Sequence, residues 1–161
     1  MSENSKREQI IEITEQLIKE VPSIKSVLRI MPQYADLQNF AQTQFPVIAI
    51  VAKLPVPAEK IETRNGFVDQ IISELKIDIF VYLQFKSAMN LNSKSINPKW
   101  VDSEISDIAD DLFAKLYENQ NRNNLVIKTE VKLNEELNVW DPFIAFQLTV
   151  IHNYVHSIGG I

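Results

Sequence analysis

The hydrophobic positions of this chain change period along its length, and each period predicts an element. Over residues 5–20, Ile10, Ile11, Ile13, Thr14, Leu17 and Ile18 recur at spacings of three and four, while Lys6, Arg7, Glu12, Glu15 and Lys19 occupy the rest of the wheel. That stripe predicts an amphipathic helix. Ser5 stands at the N-cap position, Glu8 follows three residues later, and Pro22 ends the run. Alternation in IKSVLRIM, 24–31, predicts a strand, then a turn at Pro32 and a short helix through Ala35, Leu37, Phe40 and Ala41. PVIAIVAKL, 46–54, is apolar on both faces, as a central strand needs, and Pro55 and Pro57 stop it. PVPAEKIETRNG, 55–66, is charged and carries Pro and Gly, which predicts an exposed loop or hairpin tip.

The clearest pattern lies at 71–86. Ile71, Leu75, Ile77, Ile79, Val81, Leu83 and Phe85 share one parity, against Ile72, Glu74, Lys76, Asp78, Phe80, Tyr82, Gln84 and Lys86 on the other. One face is apolar throughout, and the other turns from charged to aromatic halfway. At about 3.3 Å per residue an uninterrupted strand here reaches roughly 50 Å, far beyond the usual five or six residues. Such a strand bends or projects, and its polar half is expected to meet another chain. A polar loop follows at 86–98, after which Asn97 as cap and Pro98 in the first turn open a long helix. Val101, Ile105, Ile108, Ala109, Leu112, Phe113 and Leu116 form its apolar stripe, and it ends near Glu118, where asparagines crowd into a turn. LVIKTEVKL, 125–133, and FIAFQLTVIHNYVH, 143–156, predict two more strands joined by the polar NEELNVWDP.

The expected fold is α+β: a single domain over 1–161, with a mainly antiparallel or mixed sheet of about five strands and two helices packed on one face. The other face is left for solvent or a neighbouring subunit. With 45% hydrophobic and 23% charged residues the 161-residue chain suits one folded core. Its formal charge of -5 argues against general nucleic-acid binding, which needs a basic surface. The polar start MSENSKREQ lacks the apolar stretch of a secretory signal, and no apolar run approaches a membrane span, so a cytosolic or assembled protein is expected.

Candidate chemistry is sparse. The chain has no cysteine, which removes thiolate nucleophiles, disulfides and sulfur-ligated metals. Three glycines, Gly66, Gly159 and Gly160, supply neither GxGxxG nor a Walker loop. The only histidines, His152 and His156, lie four apart in the last strand, about 13 Å along an extended chain, so they cannot share a metal within one chain. They are expected to be a hydrogen-bonding end to a core strand; a site between subunits stays geometrically open. Asp102, Glu104, Asp107, Asp110, Asp111 and Glu118 on the long helix are expected to be a solvated face, or a charged surface that meets a partner or repels DNA. Lys86, Lys94 and Lys99 look like ordinary surface lysines. No GxSxG elbow presents a nucleophile, and no catalytic residue, cofactor or metal site is expected.

Taken in order, the amphipathic first helix, FPVIAIV, the charged stretch to Gly66, LKIDIFVYLQFK, WVDSEISDIADDLFAKL and FIAFQLTVIHNYVH resemble the tail terminator, or tail completion, proteins of long-tailed bacteriophages over nearly the whole chain. The resemblance lies in element order, size and texture. It implies a non-enzymatic virion protein at the head-proximal end of the tail, present in the host cytoplasm during assembly. Copies would form a ring, typically a hexamer, that caps the tail tube protein, stops polymerisation and offers a surface to a head-tail connector or neck protein, with DNA passing unheld through the lumen. It assigns tube docking to Glu59, Lys60, Glu62 and Arg64, with Asn92, Lys94 and Lys99 as a second set; the overlong strand with its partly aromatic second face puts the expected subunit interface at Phe80, Tyr82, Gln84, His152 and Tyr154. A neck protein of the same apparatus, or a small α/β ligand-binding domain or enzyme, remain the alternatives.

Overall fold

A computed structural model describes residues 5–62, 66–84, 98–140 and 142–157. In chain order the elements are α1 (Lys6–Lys19), β1 (Ser26–Leu28), α2 (Tyr34–Asn39), β2 (Val47–Ala52), β3 (Val56–Glu62), β4 (Val68–Gln84), α3 (Pro98–Leu116), β5 (Lys128–Leu133), β6 (Asn138–Trp140) and β7 (Phe143–Ser157). Ser5 caps α1 as its position implied: its Oγ accepts from the Glu8 amide at 3.2 Å.

The fold is α+β, and among the described residues seven strands form one mixed sheet in the order β1-β2-β4-β7-β5. Two long strands make its spine, because β4 and β7 pair antiparallel from Gln70↔Ser157 to Gln84↔Phe143. On the far flank of β4, β2 covers Ile77–Tyr82 and β3 covers Val68–Glu74, end to end. On the far flank of β7, β5 and β6 lie end to end in the same way. Among the described strands only the short β1–β2 pair is parallel.

The sheet has more strands than the hydrophobic pattern announced. β3 occupies the stretch expected to be a loop, and β6 (NVW) part of the polar NEELNVWDP connection. Neither has a strong alternation of its own; each is ordered by the free backbone edge of a long, strongly patterned neighbour. Pro57 is tolerated because β3 is an edge strand, and a bulge follows it between Pro57 and Glu59.

The parity of β4 decides what each face packs against. Leu75, Ile77, Ile79, Val81 and Leu83 join Phe146, Leu148 and Val150 of β7 beneath Ile10, Ile11 and Ile18 of α1 and Ile108, Leu112 and Leu116 of α3, all buried. This is the two-helix layer expected. On the opposite face a smaller cluster gathers Val47, Ala49, Tyr82, Phe143 and Ala145 under Leu37 of α2, with Phe40, Phe45 and Phe80 against it. The end of the second face that holds Tyr82 is therefore closed by the chain's own short helix.

Candidate interaction surface

The two histidines part company. His156, opposite Ile71, is exposed, whereas His152, opposite Leu75, is completely buried on the helical face. Its partner is Arg122, whose Nε donates to His152 Nε2 at 3.2 Å. Accepting at Nε2 fixes the neutral tautomer with the proton on Nδ1, which has no hydrogen-bond partner among the described residues. Burial, then the neighbouring guanidinium, push this imidazole down to about 3.

Arg122 is itself fully buried, and its other bonds explain why. Nη2 donates to the Leu116 carbonyl at 2.9 Å, and Nη1 to the carbonyls of Glu118 and Asn119 at 2.9 and 3.0 Å. The Leu116 carbonyl ends α3 and those of Glu118 and Asn119 follow it, the last also accepting the Arg122 amide at 2.8 Å, so the guanidinium is a C-cap placed where the helix dipole favours a cation. Burial lowers its pKa to about 10, which leaves it charged at neutral pH. The turn that inserts it is built of left-handed residues, Asn119, Arg122, Asn123 and Asn124, with φ from 47° to 66°. Asparagine tolerates that region better than most side chains, which accounts for the composition of NQNRNN. The Asn119 and Asn121 amides further tie to Asn123 and Asn124 at 3.0 Å each. This device locks α3 to β7 and presents no reactive group. It was missed in the sequence because a single arginine among asparagines reads as solvated.

Outside the core, β4 outruns the helices. Its 17 residues extend about 56 Å at 3.3 Å per residue, against about 21 Å for the 14 residues of α1 at 1.5 Å. The excess is an arm made of β3, residues 68–72 of β4 and the end of β7; Ser73 and its partner Tyr154 are still buried. Along β3 every residue from Val56 to Lys60 is exposed, as is Glu62, so neither face of that strand is covered by the body. Leu54, Val56 and Phe67 stand out at 79%, 62% and 72% exposure.

The expected site residues divide accordingly. Glu59, Lys60 and Glu62 lie on the exposed arm. Arg64, Asn92 and Lys94 lie outside the described residues, as does the side chain of Lys99, which belongs to the first turn of α3. Phe80 and Gln84 are half-buried, but Tyr82, His152 and Tyr154 keep only 1%, 0% and 5% of their exposure. Those three are corrected from interface to interior. α2 and the stacked Trp140, 6.3 Å from Tyr82 between ring centroids, cover Tyr82, while His152 and Tyr154 sit under the helical layer. Around the covered tyrosine, Met31, Tyr34, Val139 and Trp140 are left partly exposed as the outer skin of this end.

Among the described residues no group of three or more His, Asp or Glu could hold a metal ion, and no helix is long and apolar enough to cross a membrane. No protein-family model and no curated protein matches the chain.

Proposed function

We propose that this chain is a non-enzymatic virion assembly subunit of the tail terminator kind. Copies close into a ring, with six subunits expected, on the head-proximal end of a completed tail tube, stop its growth and present a surface to the head or neck, while DNA passes through the lumen without being bound.

The observation that supports this most directly is the arm. A ribbon of two or three strands with little core of its own is marginal in water, so a long one carrying exposed Leu54, Val56 and Phe67 is best accounted for by burial against another chain. Its edge is protected against indiscriminate pairing by Pro57, by a bulge and by Glu59, Lys60 and Glu62. That combination suits a surface with a dedicated partner. With Tyr82 covered by the chain's own helix, the arm is the surface offered to another chain, and Glu59, Lys60 and Glu62 are its exposed charged residues that meet the tube or the next subunit.

The test is electron microscopy of particles assembled without this protein. Tubes of uncontrolled length beside detached heads are expected. Tails of normal length, joined to heads, would remove the proposal.

A further inference from the structure

The helical face of the subunit carries two concave surfaces of opposite charge at opposite ends. One, of about 460 Å³, lies where α3 meets the start of β1 and β2, and its polar lining includes Ser23, Lys25, Ser103, Glu104, Asp107 and Asp111. The spacing of Glu104, Asp107 and Asp111 puts three carboxylates on one stripe of α3, and none forms an ion pair with a described residue. Like charges three and four apart on a helix repel by a few tenths of a kcal/mol per pair, so the stripe is a cost to the isolated subunit. Lys115, which would relieve it, is committed to Glu118 at 3.0 Å and Glu20 at 3.6 Å one turn further on. In the same groove the Ser23 Oγ is buried and has no hydrogen-bond partner among the described residues. Lys25, the one cation of this lining, donates its Nζ to the Pro22 carbonyl at 3.1 Å, and burial raises the pKa of Glu104.

The other surface, of about 530 Å³, is lined by Ser5, Lys6, Arg7, Pro55, Tyr154 and His156, with no carboxylate among them. It lies at the positive end of the α1 dipole. Here Lys6 and Arg7 satisfy only backbone carbonyls: Lys6 Nζ donates to Val155 at 2.8 Å, and Arg7 donates to Lys53 and Ala52 at 3.4 and 3.3 Å. These cations have no ion-pair partner among the described residues either. The two surfaces cannot meet within one chain. Pro46 borders the first next to the Val47↔Tyr82 row, and Val155 borders the second in the Ile72 row, so ten residues of β4, about 33 Å, separate them.

Resting on the ring assembly proposed above, we infer that the acidic groove of one copy receives the basic end of the next, Glu104, Asp107 and Asp111 facing Lys6 and Arg7 of a second copy of this chain. Two different patches of one subunit make the contact, which is the heterologous geometry that cyclic closure requires. Ser23 Oγ gains a partner from the incoming chain, and the like-charge stripe gains its counter-ions. An acidic stripe that only faced water would need neither.

Charge exchange tests this. An all-basic variant carries Glu104→Lys, Asp107→Lys and Asp111→Lys; an all-acidic variant carries Lys6→Glu and Arg7→Glu. Sedimentation velocity across a concentration series, at low salt and again near 0.5 M, is expected to show self-association of each variant weakened on the order of 100-fold. A one-to-one mixture should recover it, because every contact then joins a basic end to an acidic one, and salt should weaken wild type as well. The milder Glu104→Gln, Asp107→Asn and Asp111→Asn variant, expected to lose association partly, serves if a reversal disturbs folding by circular dichroism. Variants that assemble like wild type, or a folded mixture that stays apart, overturn this contact and leave the ring standing. A wild-type chain that remains monomeric throughout overturns both.

Discussion

The buried His152 makes a quantitative statement about acid stability. In the folded chain its pKa lies at about 3, while an exposed imidazole titrates near 6.5. Because the folded value is depressed, the unfolded chain takes up a proton that the native state refuses. The associated stability is therefore complete above about pH 6.5 and is lost as pH falls towards 3. The slope approaches about 1.4 kcal/mol per pH unit, so moving from pH 7 to pH 5 removes about 2 kcal/mol through this one residue. Structurally, a protonated Nε2 can no longer accept from Arg122 Nε at 3.2 Å, and two cations would face one another in the core. Urea unfolding at pH 7, 6 and 5 measures the effect. Carboxylates titrate over part of the same range, so the decisive quantity is a difference between variants. His152→Gln, whose side-chain carbonyl can still accept from Arg122, should lose about 2 kcal/mol less than wild type over that interval. With a denaturant slope of about 2 kcal/mol per molar, that is a midpoint difference of about 1 M urea. Parallel pH profiles for wild type and His152→Gln would refute the account of a neutral, buried imidazole.

Arg122→Met removes the cap and leaves the buried Leu116 carbonyl and His152 Nε2 without their donor, while the Asn119 carbonyl keeps the residue-122 amide at 2.8 Å; a loss of about 2–4 kcal/mol is expected by thermal or urea unfolding, and a loss under 1 kcal/mol would contradict the capping role. At Asn124, φ 66°, Asn124→Gly should be neutral or slightly stabilising and Asn124→Val destabilising by about 1–2 kcal/mol, the contrast reporting the left-handed backbone. Tyr82→Ala should cost about 3–5 kcal/mol as a core truncation, whereas Tyr82→Phe, which loses only the 3.9 Å contact to the Met31 sulfur, should stay within about 1 kcal/mol. Val56→Asp on the arm should leave subunit stability within about 0.5 kcal/mol and yet reduce self-association in sedimentation, because the 62% exposed valine has nothing to lose inside its own chain.

What could be seen in the sequence, and what could not, follows from whether a residue's neighbours are local or distant. The β4 parity, the α1 stripe and the Pro98 start of α3 are set by periods of two or 3.6 within a few residues, and each element appears where its period placed it. β3 and β6 owe their order to edges contributed by strands elsewhere in the sequence, and composition alone made them loops. The aromatic half of β4 misled for a related reason. An apolar second face announces that something covers it, but not whether that cover is another subunit or, as at Tyr82, a six-residue helix arriving from positions 34–39. The same limit hid the Arg122–His152 pair, whose partners stand 30 residues apart. On the arm the logic runs the other way. Its alternation continues past the point where the chain's own helices end, and no further element of the described chain covers β3. The apolar positions that remain exposed there, Leu54, Val56 and Phe67, are the part of the pattern that still lacks its second surface. Assembly with another chain would supply it.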